Sequence, residues 1–109
     1  MHLSELTERA LAIRKQYEAL EQKTYGRSWT EAEIFQGLVG DIGDLAKLVA
    51  TKSGIRDVPD VDARLAHELS DCLWSILVLA AKYNVNLESS FLKTMDELEK
   101  RIADHQPTA

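Results

Sequence analysis

One cysteine, Cys72, is all that the 109-residue chain contains, so no internal disulfide can form and no Cys/His zinc cluster can be assembled. That usage fits a reducing cytoplasm. Positive charge is also scarce: 13 bases against 18 acids leave a formal charge of −5, which opposes binding to a polyanion such as DNA or to a membrane surface. A phosphate-bearing partner would need a metal or a local basic cluster. No long hydrophobic run is present, since the longest, Cys72 to Ala81, is about half of the roughly 20 residues a membrane helix requires. The N-terminus mixes charges into its apolar residues and lacks the continuous apolar core of a signal peptide. Internal repeats, low-complexity tracts and strand-like alternation are likewise missing, which leaves helix as the only periodic signal.

That signal predicts one all-α domain over residues 1–109, with helices over about 4–23, 30–52, 61–83 and 87–104. The first carries apolar residues at Leu3, Leu6, Ala10, Ile13, Tyr17 and Leu20, with Ser4 as its expected N-cap. The second opens on Thr30 and Glu33 in a T-x-x-E capping box, with Trp29 and Ile34 in the staple positions and Gly54 just past its end. Residues Ile55 to Val61 read as a loop, with Asp60 or Asp62 capping the third helix. The third helix is apolar nearly all round, which in so short a chain implies burial against a second subunit. Asn86 caps the fourth, whose stripe is Phe91, Leu92, Met95, Leu98 and Ile102, and the tail after it is expected to fray.

Two acid pairs interrupt this pattern. In GLVGDIGDLAKL, at about 100° per residue from Ile34, Asp41 falls at about 340°, inside the apolar arc, and Asp44 at about 280°, at its edge. Glu68 and Asp71 flank the apolar face of the third helix in the same way, at about 300° and 240° from Leu65. Four carboxylates packed together repel and resist desolvation, and a hard divalent cation removes that penalty: D-x-x-D with E-x-x-D supplies the oxygen set that Mg²⁺ takes. The plainer alternative is that these acids are solvated or paired with Lys47, Lys52, Arg64 or Lys82. Gly37, Gly40 and Gly43 make a smooth strip beside the first pair, which suits close packing, a kink or room for a ligand. The strip is no Walker loop, because the terminal Gly-Lys-Ser/Thr is missing, and a di-iron site would need Glu-x-x-His, whereas His67 directly precedes Glu68. Cys72 and Trp74 read as core or interface residues.

From Trp29 to Ile102 the chain resembles the MazG-like, all-α nucleoside triphosphate pyrophosphohydrolases, whose signature is E-x-x-E on one helix and E-x-x-D on the next. The likeness lies in the Trp-Thr start, Gly43 within the first pair, the ELSDCLW segment, NLESS and Arg101. Glu68 and Asp71 match the second pair, while Asp41 and Asp44 are each one methylene shorter than the glutamates of the first, and Gly40 stands where many members have another glutamate. The resemblance implies a four-helix fold completed by dimerisation, as a homodimer or a dimer of dimers. It also implies a Mg²⁺-dependent enzyme, with Mn²⁺ as a substitute, that cleaves (deoxy)nucleoside triphosphates to monophosphate and pyrophosphate in a house-cleaning role toward surplus nucleotides. In that scheme Asp41, Asp44, Glu68 and Asp71 are both metal ligands and catalytic groups, and one of them orients or deprotonates the water that attacks the α-phosphorus. Lys93, Lys100 and Arg101 would neutralise phosphates and Trp29 would stack on the base. Polymeric nucleic acid and membranes are not expected partners. The rival expectation keeps the fold but weakens the metal site, leaving a nucleotide-binding or helical interaction protein.

Overall fold

A computed structural model of the protein describes residues 2–54 and 59–105. Among these the chain is all-helical: α1 (Leu3–Tyr25), α2 (Glu31–Lys52), α3 (Val61–Lys82) and α4 (Leu87–Asp104). The loop expected over Ile55 to Val61 is seen only from Pro59 onward, and the tail after His105 lies outside the described residues.

Local chemistry sets the helix ends. At the start of α2, the Glu33 N–H donates to Thr30 Oγ1 (3.3 Å) and the Thr30 N–H donates to Glu33 Oε1 (3.2 Å), a reciprocal box that satisfies two otherwise orphaned donors. Arg27 clamps the same carboxylate through two hydrogen bonds of 2.6 and 3.0 Å. Asn86 Oδ1 caps α4 by accepting from the Ser89 N–H at 3.1 Å. Helix α3 closes in a Schellman arrangement, with Asn84 left-handed at φ 58° and the Val85 N–H donating to the Ala80 carbonyl at 2.8 Å. One expected cap is replaced and another keeps its position without its side-chain bond. Helix α1 starts before Ser4, with His2 at the cap position and its N–H bonded to Glu5. Asp60 does precede α3, but its backbone is left-handed (φ 56°) and its side chain makes no cap bond, while Asp62 pairs with Lys52 at 2.8 Å.

The main packing seam runs between α2 and α3, and α1 lies against α3. Ala10, Ile34, Leu77 and Val78 form the core, of which only Val78 is fully enclosed. The Trp74 indole N–H donates to the Ala10 carbonyl at 3.0 Å and its ring meets Tyr17 at 5.6 Å, locking α1 onto α3. Lys82 of α3 reaches Glu18 of α1 at 3.0 Å. The buried positions of α1 are Ala10, Arg14 and Glu21; of the expected apolar stripe only Ala10 is buried, Leu3 and Ile13 are half-buried, and Leu6, Tyr17 and Leu20 are exposed. Tyr17, Leu20 and Glu21, in the second half of α1, border a cavity.

Every residue of α4 after Leu87 is exposed, including the stripe of Phe91, Leu92, Met95, Leu98 and Ile102. The radius of gyration is 17.9 Å, against about 13 Å for a compact chain of this length. Among the described residues no helix is long and apolar enough to cross a membrane.

Candidate metal centre

The α2–α3 seam brings three of the four acids together. Asp41 and Asp44 lie one turn apart on α2, Glu68 faces them from α3, and one carboxylate oxygen from each lies within 4.8 Å of the others. Asp71, one turn beyond Glu68, is instead held by His67, whose Nε2 is 3.1 Å from Asp71 Oδ2. Asp41, Glu68 and Asp71 are half-buried, whereas Asp44 reaches solvent.

Charge and burial act in the same direction here. Burial pushes the Asp41 carboxyl above the ordinary carboxylate range, and the neighbouring Asp71 and Asp44 push it further, with His67 opposing. Glu68 is raised for the same reasons, burial first and then Asp41, Asp44 and Asp71. Its Oε2 is buried and accepts no hydrogen bond. A carboxylate oxygen so placed has neither water nor a donor to stabilise it, which a cation in the cluster would remedy. Three hard oxygen donors, one per side chain, also suit a cation that keeps its remaining positions for water or phosphate. The residues therefore fit a divalent metal such as Mg²⁺.

Cavities adjoin the acids on two sides. One, of about 510 Å³, is lined by Arg14, Tyr17, Glu21, Trp29 and Trp74 and also by Asp41, His67 and Asp71. The other, of about 550 Å³, is lined by Asp44, Lys47, Arg64, His67 and Glu68. His67 and the acid cluster thus stand between them. Lys52 and Lys82 are committed to Asp62 and Glu18, while Lys47 and Arg64 have no ion-pair partner among the described residues. None of the candidate cations was found paired with Asp41, Asp44 or Glu68.

Trp29 lines the first cavity, with the Arg14 guanidinium 5.9 Å from its ring centroid. Lys93, Lys100 and Arg101 are exposed on α4 and line neither cavity. Cys72 is buried, and burial followed by the nearby acids pushes its thiol up, so it is a core residue and not a thiolate. Sequence periodicity overlooked Arg14 and Glu21, and it offered Lys47 and Arg64 only as ion-pair partners of the acids and His67 only in weighing a di-iron site. Only His67 carried a local signal, because it sits four residues before Asp71 on one helix face. Among the described residues a Cβ added at Gly37, Gly40 or Gly43 would meet nothing within 4 Å, so none of them packs closely on the glycine strip.

No family model matches the chain, and no solved structure matches it. Among curated proteins it is 32% identical over 88 residues to dCTP pyrophosphatase 1 of Mus musculus, an alignment covering 72% of this chain and 52% of that protein. The same figures hold for dCTP pyrophosphatase 1 of Rattus norvegicus. The chain spans about half the length of the curated relatives it matches, and it is their distant homologue.

Proposed function

We propose that the protein is a Mg²⁺-dependent nucleotide pyrophosphohydrolase that cleaves (deoxy)nucleoside triphosphates to monophosphate and pyrophosphate. The observation that carries the reading is the convergence of Asp41, Asp44 and Glu68 around the unpartnered, buried Glu68 Oε2. Distant homology to two dCTP pyrophosphatases supports it and makes dCTP the first substrate to try. When bound, the cation supplies neutralisation of the polyphosphate and acidification of water.

The chain's own residues divide the remaining work. Asp41, Asp44 and Glu68 hold the cation. Asp71 lies outside that trio and stays available as the carboxylate that takes the proton from the attacking water, with His67 fixing its Oδ2. Trp29 offers a face for the base in the first cavity. Lys47 and Arg64, which line the second cavity without an ion-pair partner among the described residues, suit the departing pyrophosphate, whose charge the acid cluster would otherwise repel. For Lys93, Lys100 and Arg101 a role toward phosphates requires α4 to be carried over an acid cluster by association, so it is proposed only for the assembled protein. Association as a homodimer or a dimer of dimers is supported by the uncovered apolar stripe of α4 and by the exposed Leu69, Leu73 and Ile76 on α3. The proposed setting is the cytoplasm.

The test is incubation of pure protein with a panel of nucleoside triphosphates, dCTP included, plus Mg²⁺ or Mn²⁺, with pyrophosphate as the readout. Metal-dependent release from at least one of them is expected. Nucleotide binding without turnover of any would overturn the enzyme reading in favour of a nucleotide-binding protein of the same fold.

A further inference from the structure

Trp29 is 44% exposed and stands in the connection over residues 26–30, between α1 and α2, where a side chain is ordinarily mobile. Its surroundings hold it nonetheless. Glu21 Oε1 accepts the Trp29 backbone N–H at 2.8 Å, and the Arg14 guanidinium lies over the ring, 5.9 Å from its centroid. Arg14 and Glu21 are in turn joined at 2.6 Å, each with only 7% of its side chain exposed. On the far side of Trp29, Thr30 enters the capping box and Arg27 grips Glu33. Neither Arg14 nor Glu21 belongs to the acid cluster of the metal centre. A buried ion pair is also a poor source of stability, because desolvation offsets most of the attraction and packed apolar residues of similar volume serve as well or better. Burial alone would raise the Glu21 carboxyl, but Arg14 and the Trp29 N–H outweigh it and the net shift is downward, so the group stays an anionic acceptor. What the pair achieves is geometric. It fixes one large ring at the edge of the first cavity, which Trp29 lines together with Tyr17 and Trp74.

We propose that Arg14 and Glu21 are positioning residues for nucleotide binding, holding Trp29 in the orientation in which its ring meets a base. The inference rests on the nucleotide reading above and divides the task within it: Trp29 touches the base, and the buried pair acts only through Trp29. The bond from the Trp29 N–H sets where its backbone stands, and the guanidinium over the ring sets the side chain. A ring already ordered in the free protein loses little conformational freedom when a base arrives, so more of the stacking appears as affinity. Stacking of this kind is tolerant of base identity, so the device strengthens nucleotide binding in general and selects no particular base.

Calorimetry on the full chain with Mg²⁺ tests this with two probes, the non-hydrolysable α,β-imido analogue of dCTP and inorganic tripolyphosphate, which has no base. The altered protein carries Arg14→Met together with Glu21→Leu. That removes both ties to Trp29 and leaves apolar side chains in their place, so its melting temperature should not fall. It should bind the dCTP analogue about 3- to 10-fold more weakly, the cost of ordering one large side chain on binding, and tripolyphosphate with unchanged affinity. Trp29→Leu keeps an apolar side chain but has no ring. It should weaken the dCTP analogue about 5- to 100-fold and cancel the effect of the double substitution, because no ring is then left to position. An unchanged affinity for the dCTP analogue in the folded altered protein overturns the positioning role and leaves the pyrophosphohydrolase reading intact. An equal loss with tripolyphosphate, or an equal loss in the Trp29→Leu background, does the same. If the altered protein does not fold, nitrogen-15 relaxation of the unaltered protein decides. Without nucleotide, the Trp29 amide and indole N–H should be rigid, with order parameters of about 0.85, and values below about 0.6 overturn the proposal. Failure of the unaltered protein to bind the dCTP analogue overturns the nucleotide reading, and the positioning role with it.

Discussion

Replacing Glu68 by Gln should stabilise the metal-free protein, the reverse of the usual outcome for a half-buried side chain. Glu68 contributes an oxygen within 4.8 Å of both Asp41 and Asp44, and at an effective dielectric constant of about 20 each fully ionised pair repels by about 3.5 kcal/mol. Asp44 is exposed and Asp41 only half-buried, so solvent screening leaves about a fifth of the two pairs together, or roughly 1–2 kcal/mol in all. Glutamine has nearly the same shape, removes the charge and offers an amide N–H₂ to Asp41. Near the melting temperature about 1 kcal/mol corresponds to about 4 °C in a domain of this size, so the variant should melt about 4–8 °C higher in EDTA at pH 8. Cation should have the opposite effect. A metal at a hundredfold excess over its dissociation constant stabilises the unaltered protein by about 2.7 kcal/mol, and most of that should vanish with the Glu68 carboxylate. Thermal melts followed by circular dichroism, in EDTA and in a Mg²⁺ or Mn²⁺ series, read both effects. A Glu68→Gln protein that melts lower in EDTA, or that keeps the full metal-dependent rise, would refute the placement of the cation.

The pH dependence follows from opposite shifts. Asp41 and Glu68 are raised in the folded state, so their repulsion costs stability above those values and is relieved as pH falls through them, whereas the lowered Glu21 contributes stability above the unfolded value of about 4.3 that is lost on further acidification. Denaturant melts in EDTA from pH 8 to 3 should therefore show a maximum on the acid side of neutrality, and a steady decline from pH 8 downward would contradict the shifts. Lys47→Ala and Arg64→Ala should each raise KM for the triphosphate about tenfold or more while leaving the affinity for the uncharged nucleoside unchanged; equal weakening of both ligands would place these residues elsewhere. Gly40→Ala adds a methyl group to open space in a helix interior and should gain about 0.4–1 kcal/mol in a denaturant titration. A loss there would mean that another surface packs on the glycine strip.

What could be read from the sequence was whatever a single helix decides. Thr30 and Glu33 announce the start of α2 because both halves of the box lie within one turn, and Asp41 stands out because a helical projection needs no partner. The acid pairs on α2 and α3 were visible for the same reason. Choices that depend on how one helix is set against another were not visible. Lys47, Lys52, Arg64 and Lys82 were equivalent candidates for pairing with the acids, and only the seating of α2 and α1 on α3 commits Lys52 to Asp62 and Lys82 to Glu18. Arg14 and Glu21 are two turns apart on α1, and their burial comes from the neighbouring Trp29 segment rather than from the period of α1. The left-handed Asp60 belongs to the path of the chain before α3, which side-chain propensity does not encode.

The apolar stripe of α4 also has a consequence for how the chain holds itself together. With almost nothing of α4 buried and a core in which only Val78 is sealed, the free energy available to one chain in isolation is small, while the surface it could remove from water by association is large. Under the association proposed above, folding and assembly would be linked by mass action and dilution would act as a denaturant: the population of ordered chains would rise and fall with the amount of protein present. Synthesis level, rather than any ligand, would be the first switch on the molecule.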